Sequence, residues 1–549
     1  MVTLFSFPKD KLFFMKKNYN YWLFKRNFLH YNKYHTKINY IDNPVKRPTL
    51  IINEGCVKNV LSGFPWLYSK DVKNPEDLIL YSPCLVNIKD EYNENIGIGI
   101  YNKNSIISSR ILSRNINDYI NEEFFNDRIK KAYEKRLELY ENDNYFRVVN
   151  AESDLLPGVI IDKYNKLICV QINASGMDIL LNMILKSIET VLNPDTIILK
   201  NDSHIRKLEK LPLKKEVYKG LYKSPIEVRE NGLTFFVDIL KGQKTGWYYD
   251  QRCNRSMLIS FCKNKNVLDL FSYVGSFGIT LAYYGANEVT CVDSSYLAIK
   301  NGIKSAHYNN VLYKMNFVHS CVKSFLNICL NAQFLNNYNK DISKNKEEFL
   351  LFSTKENEEM KCNKNDHIPL DIREGKKKKK AINYEIENSE KTYVNDEKCR
   401  KKENIFSDIQ NIFIYQMGKN NKYIEDIDDI EKLLIKNNNF DFFKKKYDVI
   451  LIDPPPLARN NYLLPSALKI YQKLLYISFK LIQKPGYVFV SSCNKLIGYN
   501  ELNLCIKRSL NWSKCNGIII GEGRISSDHP IHVSLPESKY LTSILLMIT

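Results

Sequence analysis

The stretch that decides the fold is "VLDLFSYVGSFGIT", residues 267–280. Its apolar start predicts a buried strand that ends at Asp269, and a small turn containing Gly275 then leads into a helical pattern. A second apolar run, "EVTCVDSS", predicts a strand that ends at Asp293. Strand, helix and strand in this order call for a parallel sheet with right-handed crossovers, so the sequence predicts an α/β fold.

The ends of these two strands are candidate ligand sites. Open α/β sheets bind ligands at the carboxyl ends of their strands, and the helix that follows Gly275 offers free backbone N–H groups there. An acid such as Asp293 at the tip of the neighbouring strand can accept hydrogen bonds from ribose hydroxyls. The alternative for Asp293 is the N-cap of the next helix.

A third strand is predicted in "YDVILIDPPPLARN", 447–460. Pro454 and Pro455 stop it because they lack backbone donors, so Asp453 is left at the sheet edge beside a stiff loop. A carboxylate at this edge suits an enzyme that grips the amino or ring N–H edge of a planar base. The alternative is a structural turn.

A fourth strand, "YVFVSSC", ends at Cys493. In the expected strand order it neighbours the strand before Asp453, so the two carboxyl ends face one pocket. Taken alone, Cys493 is either a packing residue or a nucleophile at the edge of an active site.

Composition limits the classes of function. The chain has 549 residues, enough for two or three domains, and 80 Lys+Arg against 61 Asp+Glu give a net charge of +19. This charge suits a polyanionic partner such as RNA. The sequence contains no apolar run long enough for a bilayer, and its 13 cysteines include no CxxC pair, so neither a membrane span nor a metal site is predicted.

Two segments differ from the rest in composition. Residues 1–46 are basic, with Asp10 the single acid before residue 40, and predict a transit segment for a mitochondrion or plastid-like organelle. A disordered basic arm and a cytoplasmic location are the alternatives. Residues 330–445 are rich in Asn, Lys and Glu and predict a disordered insertion, with one helix near 424–436.

Longer stretches resemble a known family. The three strand-end motifs are similar to those of class I S-adenosylmethionine-dependent methyltransferases. Stretches upstream and at the C-terminus resemble a PUA-type RNA-binding domain and the signatures of bacterial large-subunit rRNA (cytosine-C5) methyltransferases. These stretches are "GFPWLYSKDV" (63–72), "GIGIYNKNSIISSRIL" (97–112), "FRVVNAESDLLPGVIIDKY" (146–164), "KGQKTGWYYDQRCNR" (241–255) and "SSDHPIHVSLPESKY" (526–540).

The resemblance implies the domain organisation and the partners. A PUA-like domain is expected at 47–117, a small central α+β domain at 118–240, and a Rossmann-like catalytic domain at 241–549, interrupted by 330–445. S-adenosylmethionine is the implied cofactor, and rRNA or a pre-ribosomal particle the implied partner. The oligomeric state, monomer or homodimer, is left open.

The resemblance also implies roles for single residues. Phe271, Ser272, Tyr273 and Gly275 would border the methionine part of the cofactor, and Asp293 its ribose. Gln251 and Arg252 would lie over the cofactor pocket, and Asp453 would border it. Substrate contacts would come from Lys244, Pro454 and Pro455, with Lys244 able to face the cofactor instead.

This chain departs from the family pattern at three places. Ser320 and Cys321 stand where relatives often carry an acid near the adenine. Pro456 stands where relatives commonly have a lysine, and Asn494 replaces a serine after the cysteine.

The chemistry of cytosine C5 gives Cys493 a role. C5 is only weakly nucleophilic, and a thiolate that adds to C6 makes it reactive. Asp453 would hold or protonate the N3/N4 edge, and the base must leave its stack to reach the site. With the family resemblance, we predict Cys493 as the nucleophile, and Cys253 is the outside candidate.

Two other functions are kept open. Methylation of guanine N7 or of an exocyclic amine on the same scaffold needs no thiol. A non-catalytic RNA-binding or ribosome-assembly factor would use the PUA-like domain and the basic surface alone.

Overall fold

The structure is a computed structural model that describes residues 42–340, 412–416, 435–436 and 440–549. Among the described residues, no helix combines the length and apolar character that a membrane crossing needs. The helices α1 to α12 are, in chain order, Glu54–Leu61, Pro75–Leu78, Glu122–Leu139, Leu181–Leu192, His204–Leu208, Arg252–Leu258, Ser276–Tyr283, Tyr296–Tyr308, Val322–Lys340, Phe440–Phe443, Leu464–Leu481 and Tyr499–Ser513. The strands β1 to β21 are Thr49–Ile51, Trp66–Leu67, Cys84–Lys89, Asn95–Tyr101, Ser109–Ser113, Tyr145–Asn150, Val159–Tyr164, Leu167–Ile172, Thr196–Asn201, Lys214–Lys219, Ile226–Glu230, Leu233–Val237, Asn266–Leu270, Glu288–Asp293, Met315–His319, Phe413–Gln416, Ile435–Lys436, Tyr447–Ile452, Ile482–Ser492, Gly517–Gly523 and Thr542–Ile548.

The first two sheets share a core. Strands β1–β3–β4–β5–β2 form one five-stranded sheet, and β10–β9–β8–β7–β6 form the other. Leu85 and Ile98 of the first sheet pack in the same apolar cluster as Phe125 of α3 and Val170 of β8. Because these side chains lose their water together, the two sheets are held against each other by hydrophobic burial.

The largest sheet has nine strands in the order β17–β16–β15–β14–β13–β18–β19–β21–β20. Strands β15, β14, β13, β18 and β19 run parallel, so their carboxyl ends meet at one edge. Alternate residues face opposite cores: Val449 packs with α7 and α8, and Ile450 packs with α9, α11 and α12. The predicted α/β fold is confirmed.

The segment 330–445 contains more regular structure than its composition predicts. Helix α9 continues to Lys340, and β16 pairs antiparallel with β15. Ile412 and Ile414 are buried there, which gives β16 the apolar contact that a strand needs. The expected bounds of a disordered insertion are therefore corrected at both ends. The helix expected near 424–436 lies largely outside the described residues, apart from the short strand β17.

The segment between β20 and β21 contacts all three parts of the chain. Ser534 Oγ donates to the carbonyl of Ser62 at 2.9 Å, next to the first sheet. Asp528 accepts from the backbone N–H of Arg147, in the second sheet, at 2.9 Å. Tyr540 O–H donates to Asp250 at 2.8 Å, beside the nine-stranded sheet. This segment therefore connects the nine-stranded sheet to the two five-stranded sheets.

Candidate active site

The turn between β13 and α7 has an unusual backbone. Phe271, Tyr273 and Gly275 lie in the left-handed region, with φ of +61°, +52° and +72°. Only glycine adopts this region without cost, so the two aromatic residues persist because their surroundings fix them. One fixing contact is the backbone N–H of Tyr273, which donates to Asp293 at 2.9 Å. Such strained turns cluster at ligand sites.

Asp293 ends β14 and organises the backbone around it. Besides Tyr273, it accepts a hydrogen bond from the backbone N–H of Ser295 at 2.8 Å. Burial raises its pKa, and these backbone bonds oppose the rise. The N-cap of α8 is Ser295 itself, whose hydroxyl accepts from Ala298. The "DSS" stretch thus contains the N-cap of the alternative, at Ser295, and Asp293 supports it through the Ser295 backbone N–H. A carboxylate has more lone pairs than these bonds use, so the ribose contact of Asp293 stays a prediction.

Asp269, in β13, stabilises the start of the helix that follows this turn. Its carboxylate accepts the backbone N–H of Gly278 at 2.9 Å, and burial raises its pKa to about 7. Gly278 packs so closely on β14 that an added Cβ would lie 2.5 Å from Cys291 Sγ. The glycine therefore allows α7 to approach the sheet.

Asp453 follows β18 at the same edge. It accepts a hydrogen bond from Gln251 at 3.0 Å, and Gln251 also donates to Ser491 Oγ at 3.0 Å. Burial raises the pKa of Asp453 to about 6, although the Lys244 ammonium and these hydrogen bonds lower it. The site thus contains a carboxyl group able to exchange a proton near neutral pH.

Cys493 follows β19 and lies beside Asp453. Strands β18 and β19 pair in parallel, so their ends come together, and Cys493 Sγ is 3.7 Å from the carbonyl oxygen of Pro454. The thiol is partly exposed, and burial raises its pKa to about 12, with Lys244 opposing the rise. Pro455 is exposed next to it.

The segment 241–251 forms another wall of this site. Lys244 Nζ lies 2.7 Å from Asp250 Oδ2 and 4.2 Å from the centre of the Tyr248 ring. Tyr248 in turn packs edge-on against Tyr273 at 5.5 Å. Lys244 and Gln251 were predicted from the sequence. Asp250 and Tyr248 were missed, although they belong to the same "KTGWYYDQR" stretch.

Arg252 lies elsewhere. Its guanidinium pairs with Asp143 at 3.0 Å, stacks 4.5 Å above Tyr140, and contacts Glu230. None of its described partners borders the pocket at Asp453, because consecutive residues at the start of α6 project in different directions. Arg252 therefore contacts residues away from Asp453, and its position over the cofactor pocket stays a prediction. The outside candidate Cys253 lines the same separate cavity, of about 750 Å³, as Arg252.

Local contacts explain some of the residues at which this chain departs from the family pattern. Asn494 donates to the carbonyl of Ala458 at 2.6 Å and so holds the loop after Asp453. Ser320 donates its backbone N–H to the carbonyl of Asp293 at 3.0 Å, and Cys321 is exposed. Pro456 is exposed, and nothing in the structure explains its identity. In the described part of the chain, no cluster of metal-ligating side chains occurs.

A PUA-like domain ahead of this sheet, with its strand-end carboxylates and strained turn, defines a protein of methyltransferase fold. The PUA-like domain family matches residues 50–114. A putative methyltransferase complexed with SAH has the same fold, with a TM-score of 0.61 at 16% identity over 91% of this chain and 100% of that one. A putative S-adenosylmethionine-dependent methyltransferase from Streptococcus mutans matches with a TM-score of 0.60 at 15% identity, again over 91% and 100%. The predicted cofactor agrees with both neighbours.

The proteins that are similar in sequence identify the family more narrowly than the structural neighbours do. Ribosomal RNA large subunit methyltransferase I of Pseudoalteromonas translucida is 33% identical over 282 residues, which cover 50% of this chain and 70% of that protein. The enzyme of the same name from Klebsiella pneumoniae (strain 342) is 30% identical over 283 residues, covering 51% and 70%. The chain belongs to the ribosomal RNA large subunit methyltransferase I family.

The family corrects the predicted location. The relatives are bacterial proteins, and bacteria have neither mitochondria nor plastids. The prediction of an organelle from the basic leader is therefore wrong. Residues 1–41 themselves lie outside the described part of the chain.

Proposed function

We propose that this protein transfers a methyl group from S-adenosylmethionine to C5 of a cytosine in large-subunit rRNA, with Cys493 as the nucleophile. The observation that carries the proposal is the position of Cys493 and Asp453 just after two adjacent parallel strands, with Cys493 Sγ 3.7 Å from the carbonyl oxygen of Pro454. A thiol and a carboxyl group with a raised pKa side by side suit C5 chemistry, whereas N7 or amine methylation needs no thiol.

The residues around the β13 turn fit the cofactor. Asp293 is a carboxylate with spare lone pairs, suited to ribose hydroxyls. The buried hydroxyl of Ser272 interacts with the Cys291 thiol and has no oxygen or nitrogen partner among the described residues, so it can turn to a polar group of a ligand. Phe271, Tyr273 and Gly275 would line the methionine part. When bound, S-adenosylmethionine supplies an electrophilic methyl group.

Two side chains would prepare the cytosine. The Cys493 thiolate would form a bond to C6. The electron pair of the C5–C6 double bond would then form a C4–C5 double bond, and the electron pair of the C4–N3 double bond would take the proton of Asp453 at N3. C5 would then be electron-rich enough to accept the methyl group, with loss of S-adenosylhomocysteine. Afterwards a base removes the C5 proton, the C6–S bond breaks, and N3 returns its proton to Asp453. A carboxyl group with a pKa near 6 can make both transfers close to neutral pH.

The remaining parts would bind and present the RNA. We propose the PUA-like domain at 47–117 and the central domain at 118–240 as the RNA-holding parts, ahead of the catalytic domain at 241–549. The target base must leave its stack, and the exposed ring of Pro455 and the Lys244 ammonium would border it. The basic charge of the chain favours association with rRNA.

The test is product mapping combined with trapping. Bisulfite sequencing of rRNA from cells lacking the protein should reveal one cytosine that loses its methyl group. RNA containing 5-fluorocytosine should form a covalent adduct with the wild type and with Cys253→Ser, but not with Cys493→Ser. If Cys493→Ala keeps full methylation activity, the product is not 5-methylcytosine made through this thiol. If the protein does not bind S-adenosylmethionine in calorimetry, it is not the proposed enzyme.

A further inference from the structure

A closed ring of buried polar side chains lies next to Asp453. Its members are Gln251, Asn254 in α6, Ser491 in β19 and Ser543 in β21, and none is more than 2% exposed. Asn254 donates to Gln251 at 2.6 Å and to Ser543 at 3.4 Å. Gln251 and Ser543 both donate to Ser491 Oγ, each at 3.0 Å. A buried network that is hydrogen-bonded in this way holds one geometry.

The orientation of this ring is fixed by one backbone N–H. An amide side chain accepts through its oxygen and donates through its nitrogen, and turning it over exchanges the two. The Arg524 backbone N–H can only donate, and it lies 2.9 Å from Asn254 Oδ1. Asn254 Nδ2 therefore faces Oε1 of Gln251 and donates to it. This leaves Gln251 Nε2 as the atom that donates to Asp453 Oδ2, at 3.0 Å.

The packing around Asn254 keeps it in this orientation. Gly523, the last residue of β20, lies so close that an added Cβ would be 2.5 Å from Asn254 Oδ1 and 2.6 Å from Ser543 Cβ. Because Asn254 is buried, an amide that left the Arg524 N–H would leave a polar atom without a partner in the interior. The contact with the segment after β20 therefore sets the direction of every amide up to Asp453.

This direction decides which oxygen of Asp453 carries the proton. When one carboxyl oxygen accepts from an N–H, the proton of the acid form is placed on the other oxygen. We propose that Asn254 is a positioning residue, which holds the Gln251 amide as a donor to Asp453 Oδ2, so that Oδ1 carries the proton given to N3 of the cytosine. This role rests on the proposed function, because it needs Asp453 as the proton donor. It adds a residue that neither the strand-end pattern nor the family resemblance assigns.

Other titratable groups also act on the charge of Asp453. They come from the segment 241–251, from β13, from helix α11 and from the end of β19. These groups are Lys244, Tyr248, Asp250, Asp269, Tyr471 and Cys493. Substitutions at Asn254 and Gln251 leave all of them in place, so such substitutions isolate the contribution of the amides.

The test measures the titration of Asp453 without RNA or cofactor. The full-length protein is labelled with ¹³C at its aspartate carboxyl carbons and titrated by NMR between about pH 4 and pH 9, and the Asp453 signal is identified by its absence from Asp453→Asn. Leucine is close to asparagine in size but cannot donate. We expect Asn254→Leu to raise the titration midpoint of Asp453 by about one pH unit, a change of about tenfold in proton affinity, because the Gln251 amide can then turn its oxygen towards the carboxyl group.

A double substitution shows whether Asn254 acts through Gln251. Gln251→Ala alone should also raise the midpoint, because the donor is lost. Adding Asn254→Leu to Gln251→Ala should then change nothing further, since the side chain through which Asn254 acts is gone. A further rise in the double variant would overturn the proposal, and so would a wild-type midpoint in Asn254→Leu.

The controls separate this role from general loss of structure. Asn287→Ala removes an exposed amide that donates to Asn266 at 2.9 Å, and it should titrate as the wild type does. Asn254→Ala loses the same donor with less bulk, and it replaces the leucine variant if that variant does not fold. Bisulfite mapping of the product is independent of this titration, so a failure of the proposed function is distinguishable from a failure of the Asn254 role.

Discussion

Asp453→Asn should make the protein more stable at neutral pH while removing its activity. The folded-state pKa of Asp453 is raised from 3.8 to about 6, chiefly by burial, so the ionised carboxylate is disfavoured in the folded protein. A shift of this size corresponds to at most about 3 kcal/mol, because the side chain keeps some contact with solvent. Asparagine has nearly the same shape, can accept from Gln251, and does not ionise.

The pH window follows from the sign of the shift. Below about pH 4 the carboxyl group is protonated in the folded and unfolded chains alike, so the substitution should change little. As the pH rises towards 6, the unfolded chain ionises first and the wild type loses stability. Above pH 6 the full difference is present.

Thermal unfolding at pH 4 and pH 8 measures this effect. We expect Asp453→Asn to unfold roughly 5–10 °C above the wild type at pH 8, and near the wild type at pH 4. Asp448→Asn, at the start of the same strand, is the control for loss of a carboxylate as such. If the advantage of Asp453→Asn is equal at both pH values, ionisation of Asp453 is not its cause and the reasoning is refuted. Methylation by the same variant should fall below detection.

Three further outcomes are expected. Gln251→Ala removes a donor to Asp453 and Ser491, so the pKa of Asp453 should rise, and the limb of the pH–rate profile on which activity falls with rising pH should move to higher pH; an unmoved limb would contradict the contact. Gly278→Ala should cost about 1–3 kcal/mol in urea unfolding because its Cβ would overlap neighbouring atoms, whereas Gly55→Ala, which meets nothing within 4 Å, should be neutral or stabilising. Asp293→Ala should weaken S-adenosylmethionine binding in calorimetry by about tenfold or more, the equivalent of one charged hydrogen bond, and unchanged affinity would remove it from the cofactor site.

The sequence was sufficient to predict that residues at the ends of adjacent parallel strands lie close together. Asp453 and Cys493 each end an apolar run, and adjacent parallel strands bring such ends together whatever the details of the loops. Asp293 was located for the same reason. The apolar pattern within each strand was therefore sufficient to locate these site residues, because that pattern depends only on the local sequence.

Contacts between distant segments could not be predicted. Asp250 and Tyr540 meet although hundreds of residues separate them, and no periodicity marks that contact. The direction of Arg252 depends on Asp143 and Tyr140, which belong to another part of the chain. Strand β16 was missed because a few apolar residues in a polar segment become a strand only when β15 offers them a partner.

The segment between β20 and β21 has a consequence for substrate choice. It touches Ser62 beside the first sheet, Arg147 in the second, and Asp250 next to the pocket, so one short piece of chain fixes the spacing between them. Under the proposed function, an RNA held by the first sheet would have to offer its cytosine at one set distance. The distance between the RNA-binding sheet and the pocket would then select the substrate. A correct base at a different distance from the bound part of the RNA would stay unmodified.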